Sequence, residues 1–485
     1  MARRDAFTEH FLRRAGFGAS PDEREAYEDQ GVAATLDEFL APDSTPDPVD
    51  QYIGQPGFVG VTARTPFSPN SVINDARQRW LFRMVHTRRP LQEKMALFWH
   101  QHFATAYGKI AGALGAPAAA RVMAAKPSED PVRQRGQIEL FRQYALGNFR
   151  DLVVEVARDP AMLVWLDGRS NVRGRPQENF ARELLELFTL GVGHFTEDDV
   201  TSGSRVFTGW NLARTGNRDD PDVQHSFAYN ANQHDTGAKT FSFPIYGGGS
   251  RTIPARSAQE GQQDGLDLIN ALAAHPATAE RLARQLYAFF VSELTAAPAD
   301  FVTSVGGTYL RSGFDMRATV RAVFESPDFA APWSMYARYS WPVEFVVRAM
   351  KETGWAGFSV NSALAPLVSM GQQLFEPPHV GGWRRGPAWF STGAVLARAS
   401  FAATLAQSQR TALRDQASRY RQSPQSLVGF VLDRLTPARF DDGPYADLLA
   451  YVQAGGEWTG SDAQLLTKTA GLVHLVLCSS EYQVV

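Results

Sequence analysis

The sequence predicts an all-α protein of many helices, with one long loop excursion that can hold a short β-hairpin. Three observations predict it. Apolar residues recur at intervals of three and four over most of the chain. The stretches between these runs, 41–70, 213–257 and 370–392, are polar and rich in Gly and Pro. Short alternating runs of strand type, "HSFAY" and "KTFSF", fall inside 213–257 and predict the hairpin there.

The helical period fills 76–86, 91–107, 137–157, 177–190, 266–292, 339–352, 395–406, 425–435 and 464–478. In 177–190 the punctuation agrees with the period, because Pro176 stands near the start and Gly191 near the end. A loop of about forty residues within a compact domain is ordinarily functional or disordered, and the aromatic content of 213–257 opposes disorder, so a lid is expected. A break near 257 divides the chain into two parts. Residues 1–257 carry the lid and the His and Glu motifs, and residues 258–485 form a helical part packed against them.

Composition narrows the function. Lys and Arg number 48 against 51 Asp and Glu, which gives no reason to expect nucleic acid or an anionic membrane as partner. A lone Cys478 excludes an intrachain disulfide and any Cys-rich metal centre, so a metal would need His and carboxylate ligands. No stretch approaches eighteen uninterrupted apolar residues, and the early Arg residues are not followed by an apolar export segment. As written the chain is expected to be cytoplasmic, or exported if the sequence is a trimmed mature form.

Four constellations could carry chemistry. "FWHQHFATAYG" at 98–108 sets His100 and His102 two residues apart, about 200° around a helix, so they face different neighbours. A histidine in an apolar helix is ordinarily a core residue bonded to a backbone carbonyl, and two in one helix weaken that reading. "RGRPQENFARELLELFTLGVGHFTEDDV" at 173–200 aligns Asn179, Glu183, Glu186 and Leu190 beside the arc of Phe180, Leu184 and Leu187. Arg182 can pair with Glu178 and Glu186 across helical turns, whereas Glu183 lies nearest the core and needs another partner. "QHDTGAKTFSF" at 233–243 offers His234 and Asp235, a pair that an Asx turn also explains. "EPPHVGGWRRGPAWFSTG" at 376–393 gathers His379, Trp383, Arg384 and Trp389, which could stack on a flat ligand or plug a helical end. A phosphate loop, a nucleophile elbow and a His-Glu-x-x-His motif are all absent from the sequence.

With "HFLRRAGFGASPDE", "EKMALFWHQHFAT", "PQENFARELLELFTLGV", "FTGW", "HDTGAKTF", "HPATAERLARQLYAFFV", "WPVEFVV" and "LFEPPHVGGW" in order from residue 10, the chain resembles the bacterial family called domain of unknown function 1800. The resemblance implies no assigned chemistry. It implies export in many members, and a partner from a neighbouring family that looks like a sulfatase or phosphatase relative. This chain departs from the family at Phe188, where many members have a histidine, and in lacking an export segment.

The leading expectation is an enzyme whose pocket is lined by His100 or His102, Glu183, Glu186 and the 213–257 loop. Hydrolysis and oxidation both remain open. His102, Glu183 and Glu186 would hold a divalent iron, manganese or zinc ion, as His and carboxylates on facing helices do. Without metal, Glu183 would be general base and a histidine general acid. Either scheme predicts contact between His102 and Glu183. Trp210, His234, Asp235, Trp383 and Arg384 would contact a small-molecule or glycan-like substrate. The competing expectation is a non-enzymatic binding or assembly protein whose buried His and Glu residues only fix helix packing. A solvent-reachable pocket favours the enzyme and a sealed network favours the alternative.

Overall fold

Where apolar residues recur every three or four positions the chain is helical, and where Gly, Pro or a capping side chain interrupts the period the helix ends. The computed structural model describes residues 6–485 apart from 64, 218–219, 221, 409–411 and 439–441. The periodic runs become, among others, the helices Ile73–His86, Pro90–His102, Pro342–Glu352, Thr392–Gln407, Pro424–Leu435 and Asp462–Cys478. Two expected runs are each broken once. The run 137–157 splits into Gln137–Gln143 and Phe149–Arg158, because Asn148 caps the second helix by accepting from the Asp151 amide. The run 266–292 splits into Gln262–Ala274 and Pro276–Phe290, since Pro276 opens a helix and the His275 side chain caps it. Further helices, Ala6–Ala15, Pro21–Gln30 and Val32–Leu40, lie ahead of the first expected run. Ser20 and Glu23 form a reciprocal capping box at the second of these.

The strands are few and short. β1 (Trp210–Thr215) pairs antiparallel with β2 (Gln224–Tyr229), Trp210 opposite Tyr229 and Thr215 opposite Gln224. β3 (Lys239–Thr240) pairs with β4 (Thr252–Ile253). "HSFAY" and "KTFSF" are therefore not partners. The first pairs backward with "WNLART" and the second forward with residues 252–253, because chain close in sequence closes a hairpin at the least entropic cost.

The second half of the excursion packs inward: Phe241, Phe243, Ile245 and Ile253 are buried in the common core. That core is continuous across residue 257. Asn148 bridges to Asp315 in antiparallel fashion, His10 reaches the Phe329 carbonyl, and Arg256 pairs with Asp264. Residues 482–485 are also tied in, with the Val485 amide on the Arg338 carbonyl and Arg348 on the carbonyls of Tyr482 and Val484. No helix among the described residues is long and apolar enough to cross a membrane.

Candidate functional site

The helix Pro90–His102 is buried along its whole length, so its two histidines meet different walls. His100 Nε2 accepts from the Phe375 amide at 3.2 Å, and its ring lies between Trp80 and Trp383. Between the histidines, Gln101 clamps Trp383 through both backbone groups, at 2.8 Å to the amide and 3.0 Å to the carbonyl. Gly382 makes this clamp possible. Its φ is +82° and an added Cβ would fall 2.5 Å from the Gln101 amide nitrogen. His102 Nε2 lies 3.1 Å from the Phe188 carbonyl. A carbonyl can only accept, so Nε2 carries the proton and Nδ1 its lone pair. Burial lowers both imidazoles to about 3, with Arg281 adding to the effect at His102, and both are therefore neutral at physiological pH.

The glutamate motif owes its geometry to a change of helix type. Residues Asn179–Glu183 are α-helical and Leu184–Phe188 form a π-turn. The wider turn leaves late carbonyls without helical donors, and side chains from two other helices supply them. His102 serves Phe188, and Arg281 Nε and Nη2 serve Leu187 at 3.1 and 3.0 Å. Thr189 Oγ1 closes on the Leu184 carbonyl at 2.5 Å, and Gly191, at φ +86°, returns its amide to the Leu185 carbonyl. Gly191 packs against Arg281, where a Cβ would sit 3.3 Å from Nη1.

Glu183 and Glu186 are part-exposed on this element. Neither makes a hydrogen bond or ion pair among the described residues. Burial raises the pKa of Glu183, and the like charge of Glu186 raises it further. Glu186 in turn supports the charge of Arg281. Arg182 behaves as an exposed pairing residue, bonding Glu178 and Glu197.

His102 thus reaches the glutamate helix at the backbone of Phe188 and not at the Glu183 carboxylate. The expected metal ligands do not converge either: among the described residues no three His, Cys, Asp or Glu side chains are grouped to hold a metal ion. His102, Glu183 and Glu186 do not fit the iron, manganese or zinc centre expected of them.

The expected substrate contacts separate. Trp210 is a core residue, accommodated because Gly265 lacks a Cβ that would lie 2.4 Å from the indole. His234 is sealed, placed between the Thr208 carbonyl and Asp264, and Lys239 joins the same carboxylate at 2.5 Å. Asp235 pairs with Arg205 and closes a turn on the Gly237 amide. Trp383 is buried on Gln101 and His100, and Arg384 is exposed. From the expected lid, Asp222 lines a cleft of about 830 Å³ together with Asp50, Arg79, Arg121 and Glu129, away from His102. Residues 218–219 and 221 of that segment lie outside the described residues.

Sequence reasoning missed Arg281, Gln285, Glu293 and Arg385. The first two face the glutamate element from Pro276–Phe290, a helix read from the sequence only as packing. Their signal was polarity at positions four apart inside an apolar period.

No curated protein and no solved structure matches the chain. A family model described as "Protein of unknown function (DUF1800)" matches residues 10–484. That span takes in the histidine helix, the π-turn and the arginines around them, and the chain belongs to this family.

Proposed function

We propose that the protein is an acid–base enzyme, with Glu183 as the proton-transferring group and hydrolysis as the reaction class. One observation carries the reading. Glu183 is a part-exposed carboxylate of raised proton affinity with no bonding partner among the described residues. A carboxylate held for structure is ordinarily paired, whereas one kept free beside a second carboxylate is a stronger base and can take a proton from water or substrate. Burial sets that affinity, and the charge of Glu186 adds to it. His102 holds the π-turn in place as a positioning residue, and its neutral, carbonyl-bonded ring is not the general acid expected from the sequence.

Screening ester, glycoside, phosphate and sulfate ester substrates against wild type and Glu183→Gln tests this. The variant should lose about 100-fold or more of any turnover found, while Glu260→Gln, on an exposed surface turn, should lose none. Undiminished turnover in Glu183→Gln would refute the assignment. Elemental analysis should find no stoichiometric iron, manganese or zinc, and chelator should leave the melting temperature unchanged. A chelator-dependent drop would return the site to the metal scheme.

A second reading, a binding or assembly protein, is favoured by one specific observation. His100, His102 and His234 all end on protein partners and are buried. It predicts that Glu183→Gln changes stability alone.

A further inference from the structure

The helix Pro276–Phe290 presents Arg281, Gln285 and Ala288, at spacings of four and three, as a part-exposed stripe, while Leu282, Leu286, Tyr287, Phe289 and Phe290 on its flanks are buried. Near this helix lies the turn that carries Arg385, since Trp341, which packs on Phe289, also packs on Trp389 at the end of that turn. It is pinned on one side by the Gln101–Trp383 clamp beside His102, and on the other by Trp389 against Trp341, ring centres 6.0 Å apart. Trp341 in turn donates its indole N–H to Glu293 Oε1 at 3.1 Å. Arg385 is thereby suspended between the His102 end and the Glu293 end of the stripe.

The hydrogen-bond inventory of this place does not close. Arg385 makes no hydrogen bond or ion pair among the described residues. Burial opposes its charge, as do Arg338 and Arg281, and Glu293 alone favours it. Arg281 uses Nε and Nη2 on the Leu187 carbonyl, leaving Nη1 over. Glu293 Oε2 and Gln285 Oε1 are buried acceptors without donors. Unpaired donors and acceptors set around one stripe are costly unless something completes them, and a guanidinium fork is best completed by an oxyanion.

We propose that Arg385 and Arg281 form an oxyanion subsite that takes a carboxylate, sulfate or phosphate group of the substrate, with Gln285 and Glu293 accepting from hydroxyl or ammonium groups beside it. This rests on the reading of the neighbouring Glu183 as catalytic, and it narrows the substrate to a small anionic molecule bearing adjacent donors. The anion would sit where the neutral His102 ring adds no charge of its own, so the two arginines supply the attraction, against the charge of Glu293.

The test uses inorganic sulfate and phosphate, added as sodium salts against chloride at matched ionic strength, with melting temperature and calorimetric titration as readouts. Wild type should show a saturable rise in melting temperature with either ion. Arg385→Met should bind about tenfold or more weakly, yet melt no lower than wild type without ligand, because it removes an unpaired cation. Arg385→Lys should bind at intermediate strength, and the exposed Arg284→Met should match wild type. Absence of saturation in wild type, or equal affinity in Arg385→Met, would overturn the subsite. Glu183→Gln separates the two proposals: it should keep anion binding while losing turnover. Lost turnover with no anion effect defeats only the subsite, and anion binding with turnover intact defeats only the catalytic role.

Discussion

Between pH 6 and pH 4 the protein is expected to lose about 3 kcal/mol of stability per pH unit, enough to unfold most domains before the lower limit is reached. His10, His100 and His102 are buried and held neutral, His10 lowered to about 2 and the other two to about 3, each chiefly by desolvation. In the unfolded chain each titrates near 6.5. Their contribution is therefore whole above pH 6.5 and is lost as pH falls toward 3, because only the unfolded state takes up the protons. One group opposes them. Asp159, buried under its own helix cap on the Met162 amide and bonded by Gln137, is raised to about 7 by burial. It stays protonated in the fold while the unfolded acid ionises above about 4, so it strengthens the protein as pH falls through that window. Three protons against one leave a net uptake of about two on unfolding, which sets the slope. The part-exposed His86, lowered to about 3, adds to the loss. Urea midpoints measured from pH 8 to 4.5, with proton uptake on unfolding, check this. His100→Phe should shorten the slope by about one proton, and a flat profile down to pH 4.5 would contradict the whole account.

Glu344→Ala is expected to cost about 3–5 kcal/mol, a large part of the stability of an ordinary domain. The carboxylate is buried where three elements meet. Lys94 and Arg338 bond Oε1, and the Trp341 amide bonds Oε2 at 2.9 Å to cap its helix. The two cations hold its pKa down to about 2 against the pull of desolvation. Removing the carboxylate leaves both positive charges without water and leaves the cap unmade. Arg182→Ala, which breaks an exposed pair with Glu197, should cost under about 1 kcal/mol. Adding Lys94→Met to Glu344→Ala should recover part of the loss, since one orphaned charge is gone. Equal urea midpoints for Glu344→Ala and wild type would show that the cluster contributes nothing.

The helices were legible where burial imposes a long period on the sequence; capping chemistry outranked period at Asn148 and at His275–Pro276, and shorter helices such as Ala116–Ala124 and Met316–Phe324 carry too few turns to show one. Strand content was placed in the right region, but the partners were wrong, since two short alternating runs match each other no better than they match their neighbours. The site was half legible. The residue type at His102 points to buried polarity, yet what answers it is backbone, the carbonyl of Phe188, exposed like that of Leu187 by a helix type that side-chain patterns do not encode, while Glu183 is answered by nothing among the described residues. Trp210 and His234 misled for a related reason. A large aromatic or a histidine in a polar loop looks available until a distant Gly265 or Asp264 is known to be waiting for it.

A π-turn from Leu184 to Phe188 carries one residue more than an α-helical closure requires. In genetic terms, this makes the segment a length-coded element. Loss of a single codon would let the helix tighten to ordinary α geometry without a break. The last carbonyls would go back to helical donors, and His102 and Arg281 would lose their acceptors together. A change that a sequence comparison would score as one small gap, inside an otherwise intact helix, would dismantle the meeting point of three helices, whereas conservative replacements at the same five positions would leave it standing.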